Sequence, residues 1–237
     1  MKIISSLAMI AALALALGTS PAPAADEEGV ALAIVYDTSG SMQEAVRDRD
    51  GKSAPKYVIA NRALIAIARQ MQTFVTNTAS GSARRMDVGL YVFNGPGAQE
   101  AIRFGPFDER AIENWAQSFS SPKGNTPLGN AVSTAAQAVL KSPLSRKHVL
   151  VITDGMNTAG PPPAVVIPKL KQQAEQNHTS LSVHFVAFDV DAKVFDSVKK
   201  LGATVVAAAD EKQLNGQLEF ILQKKILLEE EETPAKK

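Results

Sequence analysis

Asp37-Thr38-Ser39-Gly40-Ser41 sets a carboxylate and two hydroxyls at alternate positions, directly after the apolar run 31–36. On a tight turn at the end of a buried strand, three such oxygens can be aimed at one point. A hard divalent cation suits that point. Magnesium takes about six oxygens at roughly 2.0–2.1 Å and usually keeps several waters, so two further protein donors are expected downstream. Thr126, in Gly124-Asn125-Thr126-Pro127, is the first. It fits the N-cap of a helix whose first residue is Pro127, where a missing N–H costs nothing, and the same hydroxyl could reach a cation. Asp154 is the second, between an apolar run ending at Thr153 and Gly155.

Five donors spread over more than a hundred positions need a scaffold that delivers them to one place. Apolar, β-branched-rich runs at 31–36, 88–93, 148–153 and 181–188, with a shorter one at 203–207, are close to continuously apolar. That pattern belongs to parallel strands covered on both faces. Helical patterns alternate with them. Tyr57, Ala60, Leu64, Ile67, Met71 and Phe74 form one helix face, and segments 127–140, around 169–176, 192–201 and 211–228 also read as helices. Trp115 and Phe119 are expected on a helix against the sheet. The fold class is therefore α/β, a doubly wound and mostly parallel sheet with helices on both faces. Segment 102–107 follows 88–93 so closely, across Asn94-Gly95-Pro96-Gly97, that it should return as an antiparallel edge strand. Open α/β sheets bind ligands at the carboxyl ends of their strands, and Asp37 and Asp154 stand at such ends.

Residues 1–24 follow the order of a signal peptide: Lys2, the apolar run 7–17 and the small-residue end Ala22-Pro23-Ala24. The run is too short for a membrane span, which takes about 20 residues. The expected division is a signal peptide at 1–24, a single domain at 25–228 with a short acidic lead-in at 25–29, and a polar tail at 229–237 bearing four consecutive glutamates. Removing the leader takes away one lysine and no acid, which leaves 24 basic groups against 24 acidic ones. A neutral chain without a basic stripe offers no footprint for nucleic acid or an anionic membrane. Cysteine is absent, so disulfides, thiolate metal sites, a cysteine nucleophile and a lipoprotein anchor are excluded. The expectation is a monomer, periplasmic or secreted, from a bacterial envelope.

Asp37, Ser39, Ser41, Thr126 and Asp154 together resemble the metal-ion-dependent adhesion site of von Willebrand factor type A domains. The order matches: D-x-S-x-S after the first strand, a threonine before the third major helix, and an aspartate in T-D-G after the fourth strand. The resemblance spans about residues 29–225. It implies that Ser39 and Ser41 bind Mg²⁺ or Mn²⁺ directly, that Asp37 and Asp154 act directly or through water, and that Thr126 coordinates in the ligand-competent state. The last coordination place would take an Asp or Glu of an envelope or extracellular protein partner. The donor set supports this, because two carboxylates with three neutral hydroxyls leave the cation near neutral and still open to one more anionic oxygen. Two departures from the family stand out: the long charged excursion 43–56, expected to overhang the site, and Asp189 and Asp191 where relatives often have glycines. Neither is expected to touch the five donors.

Two other readings compete with this binding module. A magnesium-dependent phosphatase of the haloacid dehalogenase type also places an aspartate after its first strand, but needs an acid two residues later for proton transfer; here that residue is Ser39, so no enzyme is expected. A metal-free structural domain would follow if the excursion closed the site. Remaining motifs read as bland. Asp48-Arg49-Asp50-Gly51 lacks the first and last ligands of a calcium loop. His148 and His184 fall in strands, and His178 in a turn, without a second ligand at regular spacing. Pro161-Pro162-Pro163 suits a stiff loop before a helix. Arg84-Arg85 and Arg146-Lys147 read as solvated strand ends.

Overall fold

The computed structural model describes residues 27–77 and 84–228; the leader 1–24 and the tail 229–237 lie outside them. In chain order the elements are β1 (Glu27–Tyr36), β2 (Ala45–Arg47), β3 (Ser53–Pro55), α1 (Lys56–Thr76), β4 (Met86–Asn94), β5 (Gly97–Pro106), α2 (Glu109–Ser118), α3 (Leu128–Leu140), β6 (Leu144–Thr153), α4 (Pro163–Gln176), β7 (Ser182–Phe188), α5 (Asp196–Lys199), β8 (Thr204–Ala208) and α6 (Glu211–Ile221). A six-stranded sheet runs β5-β4-β1-β6-β7-β8. Every pairing in it is parallel except β4 with the edge strand β5.

The near-continuous hydrophobicity of the strands has the cause expected from sequence. Along β1, Val30, Leu32, Ile34 and Tyr36 face a core built with α1, α2 and α6. Ala31, Ala33 and Val35 face a second core against α3 and α4. Small residues on that second face let α3 approach closely, with Ala131, Ala135 and Ala136 opposing them. The apolar face of α1 from Ala60 to Phe74 lies buried in the first core, with Tyr57 packed at its edge. Among the described residues no helix is long and apolar enough to cross a membrane.

Several local expectations are corrected. The lead-in is ordered from Glu27, which is already in β1 and bonds through its amide to the Pro143 carbonyl at 2.8 Å. The return strand starts at Gly97 because the turn is tight: Asn94 pairs with Gly97, and Gly95 takes φ 57°. Segment 192–201 divides into a 3₁₀ turn, Ala192–Phe195, and the single turn α5. The last helix changes to a π turn at Leu222–Leu227, whose carbonyls at Ile226 and Leu227 are met by the Arg146 guanidinium. Arg146-Lys147 is thus not a solvated end; Lys147 is buried and donates to the Leu144 carbonyl at 2.6 Å. His148 and His184 also find each other across β6 and β7, Nδ1 to Nε2 at 3.3 Å.

Candidate metal centre

β1 and β6 are neighbours, but their connections leave in opposite directions. From β1 the chain goes to α1 on the first face, and β4 lies on that side; from β6 it goes to α4 on the second face and then β7. The carboxyl ends of β1 and β6 therefore flank a topological switch point, where an open α/β sheet leaves a crevice. Asp37 extends β1, its amide bonding to the Ile152 carbonyl at 3.0 Å, and Asp154 follows β6 directly.

Four of the five sequence-selected donors form one hydrogen-bonded run across this crevice. Asp37 Oδ1 accepts the Ser39 amide at 2.8 Å, which folds the loop back on its own carboxylate. Ser39 Oγ lies 3.1 Å from Ser41 Oγ, and Ser41 Oγ donates to Asp154 Oδ1 at 2.8 Å. The second oxygen of Asp37 accepts from Thr153 Oγ1 at 2.6 Å. Asp37 is fully buried. Burial pushes its carboxyl up from 3.8 to about 6, against the hydrogen bonds of Ser39 and Thr153, with the Asp154 charge adding to the rise.

Thr126 reaches the same end of the sheet by a different route. The segment before it is stitched to the Asp37 loop: Lys123 N donates to the Thr38 carbonyl at 2.8 Å, Gly40 N to that of Gly124 at 3.2 Å, and Gln43 Nε2 to that of Pro122 at 2.7 Å. Its own backbone is strapped both ways to Thr158, through Thr126 N to Thr158 Oγ1 at 2.8 Å and Thr158 N to Thr126 O at 2.9 Å. Thr126 is buried and does not cap α3, contrary to the sequence reading. Pro127, with φ −81° and ψ 58°, is itself the residue before the helix. The amide left unsatisfied in the first helical turn, that of Gly129, is met instead by Asn157 Oδ1 at 3.1 Å. Gly129 is required here, since a Cβ would come within 2.0 Å of the Pro161 carbonyl oxygen.

A residue that sequence reasoning overlooked sits inside this arrangement. Lys56, at the start of α1, is only 3 % exposed, and its ammonium bonds to Glu44 at 2.8 Å, Asp154 Oδ2 at 3.1 Å and Asp189 at 3.1 Å. Burial would pull that lysine down, yet its three carboxylate partners outweigh burial and hold it above the ordinary lysine range. In turn, Lys56 holds Glu44 below the usual carboxylate range. The excursion 43–56 and Asp189 therefore do bear on the donors, through this one side chain. Asp189 pairs with Lys56 from a left-handed backbone, φ 54°, at the end of β7; aspartate is among the few residues other than glycine that enter that region readily. The only advance signal was a lysine opening a helix in a charged segment, which usually means a solvated end.

The excursion is a built element. β2 and β3 pair antiparallel, and the Lys56 amide closes their base on the Glu44 carbonyl at 2.8 Å. At the tip, Asp48 Oδ1 gathers the amides of Asp50 and Lys52. Arg49 N bonds to the buried Glu211 at 2.9 Å, and Arg62 grips both oxygens of that carboxylate at 2.9 and 2.7 Å. The hairpin is thus fastened at one end to Asp154 and at the other to the start of α6.

The donor chemistry fits a hard cation. Among the described residues no group of three from His, Cys, Asp and Glu is placed to hold a metal ion, but the expected set has only two carboxylates and takes its other oxygens from hydroxyls. Asp37 is the telling member: a fully buried carboxylate with no ion-pair partner among the described residues, a state that is costly unless a charge compensates it. Met156, two residues after Asp154 in the chain, stands 61 % exposed.

A family model described as the von Willebrand factor type A domain matches residues 32–157. A search of curated proteins returned no match. Solved structures share the fold at low identity. The PilB minor pilin from Streptococcus sanguinis is 14 % identical with TM-score 0.60, over 83 % of this chain and 61 % of that one. The vWF domain of the type V pili tip protein Mfa5 from Porphyromonas gingivalis is 11 % identical with TM-score 0.58, over 83 % and 94 %. Proximal thread matrix protein 1 from the mussel byssus, in a form with a zinc-occupied adhesion motif, is 16 % identical with TM-score 0.56, over 83 % of this chain and 48 % of that chain.

Proposed function

The chain belongs to the von Willebrand factor type A domain family, and from that premise we propose that it is a metal-dependent protein-binding module of the bacterial envelope. Asp37, Ser39, Ser41, Thr126 and Asp154 would hold Mg²⁺ or Mn²⁺. When bound, the cation supplies a Lewis-acidic position for a carboxylate oxygen of a partner protein. The protein's own residues do the rest. Asp37 and Asp154 supply charge from the two flanking strand ends, Ser39 and Ser41 supply neutral oxygens between them, and the straps through Thr158 and Gly124 fix where Thr126 stands.

The observation that carries this reading is the hydrogen-bonded run Asp37–Ser39–Ser41–Asp154 across the switch point. Two carboxylates at the ends balance the charge of a dication, and with the hydroxyls between them they leave its shell of about six oxygens short of a ligand, which leaves a place for an outside acid. Met156, exposed two residues after Asp154, offers the partner an adaptable apolar contact beside its acid. Ser39 stands where a haloacid dehalogenase phosphatase needs an acid, so the proposed role is binding without catalysis. The leader-like first 24 residues place the protein outside the cytoplasm in this reading, as a monomer facing an envelope or extracellular protein.

Isothermal titration with Mn²⁺ and Mg²⁺ tests the proposal: wild type should bind one equivalent, and Asp37→Ala should bind none. No binding by the wild type, or equal binding by the variant, would overturn it. A pull-down from envelope extract with and without chelator, comparing wild type with Thr126→Ala, then identifies the partner.

A further inference from the structure

Lys56 places a full positive charge against one of the two carboxylates of the candidate centre. Its ammonium lies 3.1 Å from Asp154 Oδ2, while Ser41 already occupies Oδ1 at 2.8 Å, so both oxygens of Asp154 are engaged before any cation arrives. The lysine is fixed from three sides, with its amide on the Glu44 carbonyl and its ammonium shared among Glu44, Asp154 and Asp189. The two outer carboxylates, 68 % and 39 % exposed, are screened by water, whereas the Asp154 side chain is fully buried. Interactions inside are correspondingly stronger than those at the rim.

Resting on the binding function proposed above, we infer that Lys56 is a positioning residue that holds Asp154 away from direct ligation and keeps the bound cation electron-poor, so that an acidic partner is needed to complete the site. With Asp37 and Asp154 offset by Lys56, the inner charge is close to a single negative. A dication then retains an excess positive charge and binds weakly alone. An incoming carboxylate restores balance, which couples the two binding events. Without the ammonium, Asp154 Oδ2 is released to face the crevice, the inner charge matches the dication, and the call for an outside acid falls.

The test compares full-length wild type, Lys56→Met, Lys56→Gln and Lys56→Arg. Mn²⁺ alone is titrated calorimetrically, and acetate is then titrated into the Mn²⁺-loaded protein while water-proton relaxation is followed. Both neutral variants should bind Mn²⁺ about tenfold more tightly or better and lose most of the acetate response. Lys56→Arg should stay near wild type on both, and Lys56→Gln keeps a polar terminus should methionine disturb folding. Wild-type binding with unchanged or weaker Mn²⁺ affinity in both neutral variants would overturn the inference and leave the proposed function standing. No binding by the wild type, with binding gained in the neutral variants, would overturn the proposed function and support Lys56 as the charge that opposes the cation.

Discussion

Replacing Asp37 by asparagine should make the metal-free protein more stable while removing its response to divalent cations. Asp37 is fully buried, and burial raises its carboxyl from 3.8 to about 6 despite the bonds from Ser39 and Thr153. The folded chain therefore holds the Asp37 proton more tightly than the unfolded chain does. As pH rises through this window, from 3.8 to about 6, the unfolded carboxyl ionises first, so stability falls with rising pH and the whole penalty is present at neutrality. At about 1.4 kcal/mol for each tenfold ratio, the rise corresponds to roughly 3 kcal/mol. Asparagine keeps the shape, retains an acceptor for the Ser39 amide, and turns an N–H toward Thr153, whose hydroxyl can rotate to accept it. Allowing for imperfect rearrangement, a gain of about 2 kcal/mol is expected, or roughly 4–8 °C in thermal midpoint for a domain of this size. Scanning calorimetry in EDTA at pH 7.5 and pH 4 measures it: the variant should melt higher at pH 7.5, with the two converging at pH 4. Added Mg²⁺ should then raise only the wild type. A variant less stable than wild type at pH 7.5 in chelator, or a difference insensitive to pH, would refute the reasoning.

Other perturbations test the supports. Gly129→Ala drives a Cβ to within 2.0 Å of the Pro161 carbonyl oxygen; overpacking of about 1–3 kcal/mol, partly offset by better helix propensity, should lower the melting point by a few degrees and weaken Mn²⁺ binding, and an unchanged melt would contradict the observed close approach. Glu211→Ala strips the acceptor from Arg62 and from the Arg49 amide, so about 2 kcal/mol should be lost and hydrogen exchange at Arg49 should quicken; persisting protection there would mean the hairpin tip is held by something else. His184 is depressed from 6.5 to about 4 by burial first and Lys225 second, and His148 is depressed well below its ordinary value by burial, then His184 and Arg146. Because unfolded histidine takes up protons first, this pair's contribution is complete above pH 6.5 and lost as pH falls toward 4. Urea titrations of His184→Gln should show a flatter acid limb than wild type, and parallel limbs would remove the pair from the explanation.

The fold and the positions of the candidate donors on it were legible because they depend on short-range pattern. Apolar runs such as 31–36 and 148–153 suit strands buried on both faces, and their ends place Asp37 and Asp154 at the carboxyl edge of the sheet. What escaped was set by long-range geometry. Lys56 reaches Asp154 across 98 positions and Asp189 from yet another strand end, and no local spacing encodes that convergence. Thr126 was read as a cap because threonine before proline satisfies a local rule, yet Asn157 in a different loop takes the amide. Lys147 looked like a solvated end beside Arg146, but the start of β6 is covered by the C-terminal π turn, which only the packed chain brings there.

The two carboxylates of the centre are left in opposite conditions, and the difference bears on where a cation would act first. Asp154 is already paired with Lys56 and bonded by Ser41, so a dication gains less from it without displacing an existing partner. Asp37 is met by neutral donors from Thr153 and Ser39 and by no ion pair among the described residues, and its raised carboxyl marks a negative charge that these surroundings do not balance. Relief of that imbalance is available only to a cation at the Asp37 side, beside Ser39. Chelated protein titrated with Mg²⁺ should accordingly show its first spectral changes at Ser39 and Asp37 amides, with the Lys56 ammonium resonance still in contact with Asp154. Loss of the Lys56–Asp154 contact before any shift at Ser39 would reverse that order and place the primary charge defect on Asp154 instead.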